Sequence, residues 1–582
     1  MYQCREPQRA YLTDRDYRRS AIIFAAMVLT ALLLKAMLLP RWPIHQDEFH
    51  YLSMVYTYER GEPLPTFLTA HVHFFGWLSA LGQNEVTQVI AARIVMYLLL
   101  LGTCLYLFCV GRHLLGMRAA LFCVLCYLCF LFTVANGASF RHDTPATFFF
   151  MLALYYFVVR EDSVFSNALA GLAMAVSLLF TIKAAIYLPV FAGWFLSRRL
   201  LCGGRGRSLI RTGCFLAALI LGFIAIYTVH SATLTPLATQ SNTGFLGRVF
   251  STFITFEQLF PASKWIIQTL GIDLLIWLLL LGGLVVHVAD LLRGRYARND
   301  PRAYLLVLAI PLFSLVVYRN AYPYFFVFLV PTVTLFCGYA FERLAAKLKN
   351  AKRITVPVLS VALGLMVLSN FIVHYPRYVW SGWELTRLQR DILGTIHTMF
   401  PEPVAYVDKC SMVSSYPKVG LFMSRAVIRN YQRRAEPIME GLLSSEKPRF
   451  LLANSLVLDL NASEAPRSTA GQALLEADWA ALKLYFIHHW GPVWVAGKQF
   501  TLGPAELQHF EIIAPGPYTV EAETDVHIDG TLYHPGDVVR LEEGAHTVGA
   551  AGQNSTIRLR WGDHLFRPDS ESAGTDFLGP FL

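Results

Sequence analysis

The sequence predicts a polytopic α-helical membrane protein that ends in a soluble mixed α/β and β region. Three observations carry that reading: 55% hydrophobic against 15% charged residues over 582 positions, a series of apolar runs of membrane-crossing length, and a regular alternation of basic and non-basic connections between them. A water-soluble globule of this length cannot hide so much apolar surface. The formal charge of +9 invites a nucleic-acid partner, but Lys and Arg fall in short clusters between apolar runs. Orientation in a bilayer accounts for them, and membrane lipids rather than nucleic acid are the expected surroundings.

The apolar runs lie near 21–40, 89–111, 119–135, 145–160, 167–182, 184–197, 212–232, 266–289, 303–318, 323–341 and 354–374, giving about eleven spans of a hydrocarbon layer about 30 Å thick. Basic clusters at 112–118, 198–211, 293–302 and 343–353 mark one side, shared with the Arg-rich N-terminus. The connections 41–88, 136–144, 233–265 and 319–322, and everything after 375, carry no such cluster and mark the other. The first side is therefore cytoplasmic, and the C-terminal region is expected outside. Met1–Ser20 is polar and charged without a small-residue cleavage site, so the first span is expected to be uncleaved.

Composition divides the chain into a membrane domain over 1–375, an α/β domain over 376–510 and a small β-sandwich over 511–582. In the second, Glu384–Met399, Ile438–Ser445 and Ala470–Leu482 read as helices, and Val404–Val407, Phe450–Ala453 and Val493–Val495 as strands. In the third, short alternating runs are punctuated by Asp529-Gly530, Pro535-Gly536 and Glu543-Gly544 turns. Of ten cysteines only Cys410 lies in the C-terminal region, so no disulfide framework is implied; Cys123, Cys126 and Cys129 read as a small-residue packing stripe. A bacterial inner membrane follows as the expected location.

Ionisable residues on the outer connections are the candidates for chemistry. Asp47 and Glu48, in His45-Gln46-Asp47-Glu48-Phe49-His50, follow the first span directly. An acid there suits general-base work on a hydroxyl; it equally suits the cap of a short interfacial helix. Asp143, in Arg141-His142-Asp143-Thr144-Pro145, falls at the same level, as a second acid or as a helix cap. Lys183 and Arg319 sit on outer hairpins where the positive-inside rule disfavours cations, as phosphate contacts or as snorkelling side chains. His71 and His73 lie among aromatics suited to a sugar face or an interfacial belt. Tyr322 and Tyr324 flank the Arg319 turn. No cofactor is required by these residues. His45, Asp47, Glu48 and His50 can chelate a divalent cation, but their spacing is not that of a helical zinc site.

An Asp-Glu pair opening the first outer loop, an Asp in the second, a Thr181-Ile182-Lys183 hairpin and a Tyr-rich turn together resemble the GT-C superfamily, in the branch of protein O-mannosyltransferases and lipid A aminoarabinose transferases. The resemblance covers about 1–375. It implies inverting transfer of a hexosyl or pentosyl unit from a polyprenyl-phosphate donor to an extracytoplasmic glycan, lipid or protein acceptor. It implies Asp47 as general base, Glu48 beside it, Asp143 as second acid, and Lys183 and Arg319 as donor-phosphate contacts, without a metal. Many relatives have a Pro-Pro pair where this chain has His71-Val72-His73-Phe74, so that loop's donor contact does not carry over. The alternative for such a chain is a transporter or flippase. Transporters place ionisable groups near the midplane, whereas these candidates map to one surface.

Overall fold

The computed structural model describes residues 15–160, 163–202, 206–236, 258–297, 300–350, 355–468, 471–504, 506–551, 554–569, 574 and 577–579. The polar stretch before Arg15 and most of the expected 233–265 connection lie outside these. The fold is a bundle of apolar helices followed by a sheet region, as the composition requires.

Among the described residues, six helices are long and apolar enough to cross a membrane: Arg15–Leu38, Glu85–Leu115, Leu209–Ala232, Leu274–Leu292, Pro323–Lys349 and Val356–Val373. Five further apolar helices are shorter, among them Met117–Cys129, Asp143–Val158 and Val164–Phe180. Each expected run is helical, so the sequence reading locates the apolar helices, while those of full crossing length are fewer than the eleven runs. Pro323–Lys349 is 89% buried over its apolar window and forms the axis of the bundle; Leu209–Ala232 is 11% buried and lies at its edge. Cys123, Cys126 and Cys129 are buried free thiols facing that axis, and a side chain at Gly338 would approach the Cys123 sulfur to 2.4 Å. The stripe is a packing surface.

Two runs are broken, and the breaks fasten one another. Phe130 adopts an extended conformation (φ −65°, ψ 129°) and divides 119–135 into Met117–Cys129 and Leu131–Asn136. Asp273 divides 266–289 into Ser263–Ile272 and Leu274–Leu292. Its carboxylate accepts the freed backbone N–H of Leu131 at 3.0 Å and an amide hydrogen of Asn370 at 3.3 Å. Broken helix is tolerated at this depth only where the freed groups are satisfied by protein. The 303–318 run is a 3₁₀ helix, Pro301–Phe313, followed by the turn Ser314–Val317. Pro311 lies within it and contributes no backbone donor there.

Val356–Met399 runs through residue 375 without a break and delivers the chain to the C-terminal region. Among the described residues twelve strands follow: β1 Tyr406–Val407, β2 Lys418–Val419, β3 Phe450–Leu452, β4 Phe486–Trp490, β5 Val493–Leu502, β6 Leu507–Ile512, β7 Gly516–Glu521, β8 Val526–Ile528, β9 Thr531–Tyr533, β10 Val538–Leu541, β11 Gly544–Ala550 and β12 Ser555–Trp561. An eight-stranded sheet has the order β10-β7-β12-β5-β3-β1-β2, with β4 paired to β5; the other sheet is β6-β11-β8-β9. β5 pairs with β3 through Phe450↔Val495 and with β12 through Ile557↔Phe500, so one sheet joins the 376–510 and 511–582 segments. The β8–β9 hairpin turns on Asp529 (φ 48°) and Gly530 (φ 81°), the left-handed pair that an Asp-Gly turn supplies.

Close helix packing makes one position sensitive. A Cβ at Gly171 would lie 2.2 Å from the Phe215 carbonyl oxygen on the neighbouring Gly206–Ala232 helix. Gly171→Ala is expected to destabilise the bundle by about 1–3 kcal/mol, read as a lower melting temperature of the detergent-solubilised protein.

Candidate active site

The first-loop helix Gln46–Glu59 starts with a capping box built on His45. The His45 imidazole accepts the Asp47 N–H (3.2 Å), and Glu48 accepts the His45 N–H (3.1 Å). Successive helical residues project about 100° apart, so the adjacent acids face different surroundings.

Glu48 turns inward and is 1% exposed. Its carboxylate accepts from Arg93 Nε (2.8 Å), Arg93 Nη2 (2.5 Å) and the Phe140 N–H (2.8 Å). Arg93, also buried, donates in addition to the carbonyls of Leu39 (3.0 Å), Trp42 (2.7 Å) and Pro43 (3.1 Å). The pair thereby joins the end of the first helix, the 45–48 turn and the 140–143 turn.

Asp47 faces the other turn and accepts a hydrogen bond from Arg141. Arg141 Nε lies 3.6 Å from Asp143, and Lys183 Nζ donates to Asp143 at 3.1 Å. The four groups form a row of alternating sign: Asp47, Arg141, Asp143, Lys183. Tyr324 lies under both cations, with Arg141 at 3.7 Å and Lys183 at 4.6 Å from its ring centre. Burial raises the Asp47 carboxyl, and the Arg141 guanidinium overrides it, leaving the group at about 2. Burial lowers Lys183 despite the neighbouring Asp143.

The structure thus brings together Asp47, Asp143, Lys183 and Tyr324, with Glu48 one layer behind. Tyr322 lies beside Tyr324 with its ring tilted, ring centres 5.8 Å apart. Arg319 occupies the exposed turn between Tyr318 and Asn320. His71 is buried beside the row: it is hydrogen-bonded to the Tyr51 carbonyl at 2.9 Å, and its ring lies 4.7 Å from that of His142. Burial keeps His71 neutral, at about 4. His73 points elsewhere and pairs with His230 at 2.8 Å, tying the first loop to the end of Gly206–Ala232. The chelate considered for His45, Asp47, Glu48 and His50 is split, because Glu48 is engaged by Arg93 and His50 stacks on Phe422 of the C-terminal region at 4.0 Å. Among the described residues no group of three or more His, Cys, Asp or Glu side chains is arranged around a common metal position.

Arg141 and Arg93 are the residues that the sequence reading passed over. The signal for Arg141 was present, since a cation in an outer connection is anomalous for the same reason as Lys183. Arg93 stands inside an apolar run, where an ionised side chain requires a buried partner.

A protein-family model described as Dolichyl-phosphate-mannose-protein mannosyltransferase matches residues 71–231, a segment that holds Arg141, Asp143 and Lys183. The chain is similar in structure to ArnT from Cupriavidus metallidurans bound to undecaprenyl phosphate, with 15% identity, a TM-score of 0.47, and coverage of 69% of this chain and 85% of that one. It is also similar to the oligosaccharyltransferase of Archaeoglobus fulgidus in the apo form (12% identity, TM-score 0.47, 90% of this chain and 76% of that one). A third similar structure is the arabinosyltransferase EmbB from Mycobacterium smegmatis (12% identity, TM-score 0.37, 92% and 64%). No curated protein sequence matches the chain. The family match, over residues 71–231, agrees with the protein O-mannosyltransferase resemblance drawn from the motifs.

Removing one member of the Glu48–Arg93 pair leaves the other charged and buried. Arg93→Met is expected to cost about 3–5 kcal/mol of stability. Thermal unfolding of the purified variant checks it, and the double variant Glu48→Gln with Arg93→Met should recover part of the loss.

Proposed function

We propose that the chain is an inverting glycosyltransferase that moves a sugar from a polyprenyl-phosphate donor to a hydroxyl of a glycan, lipid or protein acceptor. The reaction takes place on the non-cytoplasmic face of a bacterial inner membrane, the face that also carries the C-terminal region. The observation that supports this reading most is the alternating row Asp47–Arg141–Asp143–Lys183, which joins a proton acceptor to two phosphate-binding cations. The match of residues 71–231 to a dolichyl-phosphate-mannose family supports a lipid-phosphate donor.

In this mechanism the acceptor oxygen attacks the anomeric carbon as the bond from that carbon to the phosphate oxygen breaks. The hydroxyl proton passes to Asp47, and the electron pair of the broken bond leaves with the polyprenyl phosphate. Arg141 and Lys183 stabilise the departing phosphate, so the charge is carried by side chains rather than by a metal ion. Arg319, Tyr322 and Tyr324 complete the donor side, and His71 faces the sugar. Asp143 orients the two cations, while Glu48 acts as a positioning residue through the 45–48 turn.

The resting row also explains how a weak base is activated. An acid held at about 2 by Arg141 accepts protons poorly. A donor phosphate competes with Asp47 for Arg141. Once the guanidinium turns to phosphate, the burial of Asp47 is unopposed and its basicity rises.

Asp47→Asn should lower transfer by about 10²–10⁴-fold in a folded protein, measured by mass spectrometry of envelope lipids and glycans from cells carrying the variant in place of the native gene. An unchanged glycan profile in those cells rules the proposal out. Arg141→Gln should raise the Asp47 carboxyl above its ordinary range and move the acid limb of the rate profile upward. The variant then loses activity on acidification at a pH where the native protein keeps it, as a pH series of transfer rates would show.

A further inference from the structure

Residues far downstream complete the seat of Asp47. Ile44, the residue before the His45 cap, is fully buried, and so is Gln389 on Val356–Met399. The Gln389 amide is used on all sides. Its oxygen accepts the Ile44 N–H (3.1 Å), and its nitrogen donates to the carbonyls of Ile44 (2.9 Å) and Phe577 (3.0 Å). Gly579 donates its N–H to the same Ile44 carbonyl at 2.9 Å, and His45 and Gly579 lie side by side as a parallel bridge. A Cβ at Gly579 would stand 3.0 Å from the carbonyl oxygens of both Pro43 and Ile44. Phe577 is 1% exposed and packs in the same apolar cluster as Ile44, Phe49 and Phe140.

We infer that Gln389 and the strap Phe577–Gly579 are positioning elements of the transferase site: they fix the backbone at Ile44–His45 and, through the His45 cap, the direction of Asp47. This role rests on the transferase function proposed above. Its physical core is that buried backbone groups must be paired. Without the Gln389 amide the Ile44 N–H loses its partner and the Ile44 carbonyl keeps only Gly579. The turn then has reason to move, and a displacement of about 1 Å at a reacting group costs about 100-fold in rate. Neither element approaches Arg141 or Lys183 through any of these bonds, so donor binding should survive their loss.

Two changes test this in the full chain: Gln389→Met, near in volume but without the amide, and a chain stopped after Gly574. Three readouts apply: transferred product in cells by mass spectrometry, binding of undecaprenyl phosphate by the purified protein, and hydrogen exchange of the amides over 44–50. The expected result is product lowered about 100-fold, undecaprenyl phosphate binding retained, and faster exchange over 44–50 but not within Glu85–Leu115. Unchanged product overturns the inference. So does loss of undecaprenyl phosphate binding in step with product, which marks general unfolding. If the shortened chain does not accumulate, Gln389→Met decides alone. Asp47→Asn separates the two readings: retained transfer there sinks the general-base role of Asp47 in the proposed mechanism, whereas its loss beside a fully active Gln389→Met sinks only this inference.

Discussion

The buried ion pair between Glu48 and Arg93 is the constraint on which the site depends. Desolvating two charges is expensive, and the attraction between them offsets the cost only when geometry and further hydrogen bonds are complete. Here they are, since Arg93 also holds the carbonyls of Leu39, Trp42 and Pro43, and Glu48 also accepts the backbone N–H groups of His45 and Phe140. A well-packed apolar pair of the same size would fill the space. It would not tie two loops, distant in sequence, to one another by directional bonds. The ion pair sets where Asp47 and Arg141 stand relative to each other.

Charge balance explains why such a row persists away from bulk water. Asp47 and Asp143 carry two negative charges against the two positive charges of Arg141 and Lys183, and each carboxylate contacts a cation. A buried charge left without its partner is costly, so each member of the row depends on its neighbours. An arriving phosphate adds negative charge and must be met by cations already spoken for. The proposed donor therefore rearranges the row rather than filling an empty seat, and coupling between donor arrival and proton acceptance follows from the same four side chains.

Apolar periodicity and basic clusters made the helices of the bundle legible, because both signals are local: every expected apolar run is helical. The strands expected at 404–407, 450–453 and 493–495 are β1, β3 and β5, whereas β2, β4 and β6 were not foreseen and the helix expected over Ala470–Leu482 is found at Glu476–Tyr485. The Asp529-Gly530 turn was legible because its signal, too, is local. Asp47, Glu48, Asp143, Lys183 and Arg319 stood out as charged groups on the outer connections. What sequence could not show was pairing. Nothing in the letters of Asp47-Glu48 tells which acid turns inward; that is decided by Arg93, 45 positions away. His71 and His73 look equivalent in sequence, yet one packs beside the row and the other pairs with His230, 157 positions distant. The breaks at Phe130 and Asp273 were hidden because the bond that joins them, from the Leu131 N–H to the Asp273 carboxylate, spans 142 positions.

Those breaks have a further role in the architecture. The chain leaves helical geometry at Phe130, resumes as the short helix Leu131–Asn136 and then turns toward Arg141, so it must present backbone groups where water is scarce. Three of these groups are met by buried ionisable side chains from elsewhere: Asp273 accepts the Leu131 N–H, Lys35 donates to the Val134 carbonyl, and Glu48 accepts the Phe140 N–H. Lys35 and Glu48 belong to the first helix and first loop, and Asp273 to the join between two later helices. Three distant parts of the chain thus hold one irregular stretch, and that stretch ends on Arg141 and Asp143. The loop can be rigid without being regular, because its satisfaction comes from side chains whose own positions are fixed by the bundle. A site placed there inherits the stiffness of the helices while keeping the freedom of backbone direction that a helix would deny it.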